Sequence, residues 1–201
     1  MSTQRFLDAN RAWARERLQR DPDYFKRRAQ HHKPSCLFIG CSDARVPVDV
    51  ITQTDVGEIF VHRNIANQVI ATDNNLQAVL QYAVEVLRVT SVVVCGHEEC
   101  GGVKAALDHG APAQVDQWIT HVRDVARLHH DELQAVADPK HRVRRLVELN
   151  VAEQVYNLRR LPAIQSAAER GWPLEICGWV YGMNDGLLRE LDTGTRLLRT
   201  A

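Results

Sequence analysis

The sequence predicts an α/β domain: a sheet of four to five strands with a parallel core, helices on its faces, and an N-terminal helical arm. Three observations carry this. Short apolar runs that read as buried strands recur at 36–40, 58–63, 91–96 and 174–181. Between the second and third, Leu76, Val79, Leu80, Ala83, Val84 and Leu87 recur at helical spacing, and strand, helix, strand in that order implies a parallel pair with a right-handed crossover. At 201 residues and 45% hydrophobic, the chain is long enough for one medium domain with its own core.

The elements follow in order. Residues 5–20 read as a helix in which Phe6, Trp13 and Leu18 are scattered among charges. Asp21-Pro22 looks like an N-cap followed by proline at the first helical position, opening a second helix to about Arg28. This arm, 1–33, is too polar to make its own core, so Phe6, Trp13 and Tyr24 are expected to dock on the main domain or on a second subunit. His31-His32-Lys33-Pro34 leads into the first strand, and Val46-Pro47 opens a short helix beyond it. Thr72-Asp73 is the start signal of the 76–87 helix. Gly101-Gly102-Val103 leads into a short helix, 114–130 and 142–160 read as two longer ones, and a last strand is expected near 187–191. No repeat or linker divides 34–201.

Composition excludes several classes. Formal net charge is zero and the pI is near 7.1, so nothing points to nucleic acid or an anionic membrane. No run approaches transmembrane length, and Met1-Ser2-Thr3-Gln4-Arg5 leads into a polar segment, so the cytoplasm is the expected compartment. Five cysteines argue against a full disulfide framework and for metal or catalytic thiols.

The chemistry concentrates just past two strand ends. Cys41-Ser42-Asp43-Ala44-Arg45 follows the first strand, and His97-Glu98-Glu99-Cys100 follows the third. The carboxyl ends of parallel strands are where such sheets bind ligands. Two thiolates and an imidazole from Cys41, His97 and Cys100 are the set that Zn²⁺ prefers when a fourth position stays open for chemistry. Asp43 can reach the metal or a water bound to it. If the Arg45 guanidinium forks onto Asp43 the site stays open; if that pair breaks, Asp43 can close it as a fourth ligand. Cys36, Cys95 and Cys177 sit in apolar runs and read as core thiols, and His62 as structural or interfacial. Glu98 and Glu99 are either a solvated loop face or a negative field beside the metal.

The segments 41–47, 57–67 (Gly57 to Asn67), 95–103 and 178–182 together resemble the β-class carbonic anhydrases, with a length that suits the bacterial type. The resemblance spans nearly the whole chain. It implies a zinc lyase, a carbonate dehydratase that reversibly hydrates CO₂ to bicarbonate and a proton by a zinc-bound hydroxide, with one Zn²⁺ per chain. Cys41, His97 and Cys100 would be the permanent ligands. Asp43 and Arg45 would be the catalytic dyad, with Asp43 on zinc only in a closed, inactive form. Gly101 and Gly102 would give the substrate pocket its backbone wall. It further implies a homodimer or homotetramer in which the arm wraps the partner subunit, with neither a nucleic acid nor a membrane as partner. Ala44 stands where relatives usually carry serine, and Glu98-Glu99 where a neutral pair is common. Some members are inhibited by bicarbonate at a second site of tryptophan, arginine and tyrosine. The matching positions are Phe38, Arg63 and Tyr181, and phenylalanine lacks the indole donor. Hydrolysis of carbon disulfide or carbonyl sulfide, and a zinc-binding bicarbonate sensor without turnover, are the alternatives.

Overall fold

The computed structural model describes residues 3–108 and 110–194; the outermost residues of the predicted 1–33 and 34–201 segments lie outside the described residues. By its contacts the chain divides into Met1–Lys33 and Pro34–Ala201.

The first unit holds α1 (Gln4–Arg20) and α2 (Tyr24–Gln30). Asp21 does not cap α2 as its sequence suggests. Its N–H closes α1 on the Arg17 carbonyl, and its carboxylate is taken by the Arg27 guanidinium and the Asp23 N–H, so the second helix starts past Asp23. The arm also makes a small aromatic cluster of its own. Phe25 meets Trp13 edge-on at 5.5 Å and Tyr24 at 4.9 Å, and Arg28 lies 3.5 Å over the Tyr24 ring. Phe6 and Leu18 are left exposed.

In the second unit the chain runs β1 (Cys36–Cys41), α3 (Val48–Ile51), β2 (Ile59–Asn64), α4 (Asn74–Gln81) and β3 (Ser91–His97). Then come α5 (Gly101–Asp108), α6 (Ala113–Trp118), α7 (Thr120–Leu128), α8 (His130–Ala135), α9 (Pro139–Arg159), α10 (Pro162–Glu169), β4 (Glu175–Tyr181) and β5 (Leu188–Leu191). The five strands lie in the order β2-β1-β3-β4-β5, parallel except for β5, which returns antiparallel along β4. Asp73 caps α4, accepting from the Asn75 and Leu76 N–H groups as its sequence implies. The expected single helix then widens into a π turn, Tyr82–Leu87, closed by Arg88 at a left-handed φ of 58°.

The sheet buries its two faces unequally. Leu37, Ile39, Val92, Val94, Ile176 and Val180 point into the large core shared with the helices. The alternate residues Phe38, Val93, Cys95 and Cys177 form a smaller cluster with Val48. Period-two alternation in strands that are apolar throughout is what produces two cores from one sheet. The long helix α9 lies very close to the sheet: a Cβ on Gly96 would stand 2.6 Å from Val151 Cγ2, and one on Gly178 would stand 3.0 Å from Val151 Cγ1.

The strand order places the site. From β1 the chain moves outward to β2, then crosses back to β3 on the other side of β1. The crevice past the carboxyl ends of β1 and β3 is therefore the switch point of the sheet, where side chains from both strand ends can converge.

Candidate metal centre

Cys41 is the last residue of β1, His97 the last of β3, and Cys100 immediately precedes α5. All three are buried, and their ligating atoms lie within 4.8 Å of one another. The two sulfurs are 4.0 Å apart. Tetrahedral zinc with two thiolates at its usual bond length sets them about 3.8 Å apart. Glu99, at a left-handed φ of 55°, turns the chain so that Cys100 comes back beside His97.

The imidazole is prepared for a ligand. His97 Nδ1 donates to the Glu98 carbonyl at 2.8 Å, and a carbonyl can only accept, so Nε2 carries the lone pair. That Nε2 is buried and has no hydrogen-bond partner among the described residues. A buried acceptor left unpaired costs free energy that a cation on the lone pair would remove.

The thiols differ. Cys41 is drawn down, first by the hydrogen bond from Cys100, against its own burial, and further by the N–H groups of Ala66 and Asp43. Cys100 is pushed up by the Cys41 sulfur and by burial, although the N–H groups of Val103 and Gly102 at the start of α5 face its sulfur. One proton held between two sulfurs is the proton a thiophilic cation releases on binding.

Beside this cluster Arg45 forks onto Asp43, with Nε to Oδ1 at 2.9 Å and Nη2 to Oδ2 at 2.7 Å, while the Arg45 backbone N–H adds a third bond to Oδ1 at 2.9 Å. The guanidinium beside it, more than any other group, holds the Asp43 carboxyl well below the usual carboxylate range, so it is an acceptor only. Asp43 Oδ2 lies 3.8 Å from His97 Nε2. Arg45 Nη2 also reaches the Glu99 carbonyl at 3.3 Å, tying the two loops together.

Arg63 is half-buried and donates from Nε to the Cys41 carbonyl at 2.8 Å and from Nη2 to the Asp43 carbonyl at 2.6 Å, fixing the loop from beneath. Phe38 and Tyr181 meet in the smaller apolar cluster. A Cβ on Gly102 would stand 2.8 Å from Ile65 Cγ2, whereas Gly101 has nothing within 4 Å of that position. Cys95 and Cys177 are buried and Cys36 is half-buried. His62 is buried, with Asn64 Nδ2 at 3.3 Å from its Nε2.

Two features escaped the sequence reading. Glu98 is no solvated loop residue: at 8% exposure it is paired with Arg189 at 2.5 Å and Arg144 at 3.1 Å, which neutralise the field it would cast. Only Glu99 is exposed. The second feature is a set of buried amides. Asn150 Nδ2 and Gln68 Nε2 both donate to the Ala66 carbonyl, Gln68 and Gln154 both donate to Asn150 Oδ1, and Gln154 Oε1 accepts from the Val69 N–H. They hold the left-handed residues Ala66 and Asn67, of which Ala66 turns its N–H to the Cys41 sulfur. Asn150 and Gln154, four residues apart in a helical stretch otherwise apolar on that face, were the readable signal.

The family model for carbonic anhydrase matches residues 36–188. The carbonic anhydrase of Emericella nidulans is 44% identical over 189 residues, 94% of this chain and 82% of that protein. A tetrameric β-carbonic anhydrase from Sordaria macrospora superposes with a TM-score of 0.91 at 40% identity, over 96% of this chain and 98% of that one. The Coccomyxa β-carbonic anhydrase, solved in complex with acetazolamide, superposes with a TM-score of 0.88 at 36% identity, over 94% of this chain and 86% of that one. Likeness that runs through nearly the whole chain, in sequence and in fold alike, makes this protein a member of the β-class carbonic anhydrases, a carbonate dehydratase that interconverts CO₂ with bicarbonate and a proton.

Proposed function

We propose that this carbonic anhydrase works with one Zn²⁺ per chain held by Cys41, His97 and Cys100, and with Asp43 and Arg45 as its catalytic dyad. The observation that carries this is the convergence of three ligating atoms within 4.8 Å, one of them the buried, unpartnered Nε2 of His97. When bound, zinc supplies a Lewis acid that makes a water ionisable near neutral pH. The chain's own residues do the rest. Asp43, ionised and acceptor-only, takes a hydrogen bond from a water beside His97 and so orients the oxygen lone pair toward CO₂. The Arg45 fork occupies both carboxylate oxygens and keeps them from acting as a fourth ligand. Loss of that fork frees Asp43 to close the site into an inactive form. Open space at Gly101 and the backbone of Gly101 and Gly102 provide a wall for a small apolar substrate.

The wider reading is a homodimer or homotetramer joined through the 1–33 arm, supported by the tetrameric Sordaria relative and by exposed Phe6 and Leu18. The five cysteines form no disulfide, which suits a reducing compartment, the cytoplasm. No described helix is long and apolar enough to cross a membrane. At the second bicarbonate position, Phe38 offers no donor and Arg63 already donates to two loop carbonyls, so cooperative inhibition by bicarbonate is expected to be weak. Zinc content and stopped-flow CO₂ hydration, measured on the parent and on Cys41→Ala and His97→Ala, test the core of the reading. Both variants lose metal and turnover together; full zinc and normal turnover in either would remove the ligand assignment.

A further inference from the structure

Behind the metal loop, α5, α7, α8 and the start of α9 enclose a cavity of about 620 Å³, the size of a small-molecule site. Its lining is strongly biased in charge although the whole chain is formally neutral. Lys104 comes from α5, Arg123 and Arg127 from α7, and Lys140 and Arg142 from α9, against only two carboxylates, Glu99 and Asp108. Three of these cations are partly spent: Arg123 pairs with Asp116, Arg127 pairs with Asp124 at 3.4 Å, and Arg142 donates from Nε and Nη2 to the Val136 carbonyl. Lys104 and Lys140 make no ion pair among the described residues. Arg123 keeps its Nε buried and without a hydrogen-bond partner among the described residues.

The placement of Lys140 and Arg142 adds an independent reason. They sit in the first turn of a 21-residue helix that has no acidic residue in that turn. Cations there oppose the helix dipole, while an anion at the same place is favoured by it. Asp138 caps this end through the His141 N–H but does not line the cavity. Leu107, Leu133 and Val143 add apolar side chains to the same lining. Cations from three helices lining one cavity, two of them ammonium groups unpaired among the described residues, with apolar side chains beside them, match phosphate groups carried on an organic body.

We propose that this cavity, distinct from the metal site, binds a multiply phosphorylated small molecule. The cavity also touches catalysis at one point. Glu99 lines it, and the carbonyl of the same residue accepts from Arg45, the partner of Asp43. An occupant that draws on Glu99 would therefore be felt at the Arg45–Asp43 fork.

Isothermal titration of the zinc-loaded enzyme with pyrophosphate, ATP and adenosine tests this. Pyrophosphate and ATP are expected to bind once per chain, ATP more tightly because of the apolar side chains, and adenosine not measurably. Lys104→Glu and Lys140→Glu are each expected to weaken ATP binding about tenfold or more, with zinc content and CO₂ turnover unchanged. Lys104→Ala with Lys140→Ala serves the same purpose if charge reversal prevents folding, and zinc measured before and after titration separates binding from chelation of the metal. No saturable binding of either phosphate, adenosine binding as tightly as ATP, or undiminished affinity in the double variant would each overturn the proposal.

Discussion

In the proposed dyad, Asp43 has to stay both ionised and engaged. Three N–H donors from Arg45 secure both conditions, and the Glu99 carbonyl and the Arg63 guanidinium hold the pair in place from outside the loop. Arg45→Ala is expected to lower kcat by roughly 10- to 100-fold with zinc retained, the usual effect of losing the group that orients a residue beside a metal. Stopped-flow assays on the zinc-loaded variant check this, and an unchanged kcat would show that the fork has no part in turnover. Cys95 makes a second residue-scale prediction. Burial pushes its thiol up to about 12 from an ordinary value of 9.0. An acid whose pKa is raised by folding contributes stability below its unfolded pKa and loses it as pH rises toward the folded one. The unfolded chain therefore releases this proton first, and stability declines between about pH 9 and 12, at up to about 1.4 kcal/mol per pH unit from this group. Denaturant melts across that range should show a shallower decline for Cys95→Ala than for the parent.

At the scale of elements, the 66–69 segment beside the site rests on α9. The amides of Asn150 and Gln154 reach across to the Ala66 carbonyl and the Val69 N–H, and these are buried backbone groups that water cannot serve. Asn150→Leu removes a donor and an acceptor at once and is expected to cost about 1–3 kcal/mol in a denaturant melt. Gly96→Ala should cost about as much by overpacking, since its Cβ would meet Val151 of α9 at 2.6 Å. The strands were legible because a buried parallel strand is a short apolar run, and the sequence places each within a residue or so of where it lies. Helices were less so. The stretch 114–130 carries no proline or internal glycine, yet the chain breaks at Ile119 and His129 into three helices, because packing and not a breaker residue turns it there. Asp138-Pro139 and Leu161-Pro162 carry the start signals of α9 and α10, yet the first of these helices was expected only from 142 and none at 162–169.

For the molecule as a whole, the same contrast holds at the site. Cys41, Asp43, Arg45, His97 and Cys100 are read from two local motifs because each motif sits on a strand end, and adjacent parallel strands bring their ends together. The pairing of Glu98 with Arg144 and Arg189 was not legible, since both partners are far along the chain on other elements. The arm was legible as a separate polar segment, but its Trp13–Phe25–Tyr24 cluster was not, because Phe25 gave no spacing signal. Assembly through the arm predicts a dimer or larger species at micromolar concentration by sedimentation equilibrium; a folded, active monomer would contradict it. The most direct test of the account is zinc-edge X-ray absorption on the protein as isolated, read beside its zinc content. One zinc per chain is expected, with two sulfurs at about 2.3 Å and one histidine nitrogen at about 2.0 Å. A shell of nitrogen and oxygen alone, or full CO₂ hydration by metal-free protein, would contradict it.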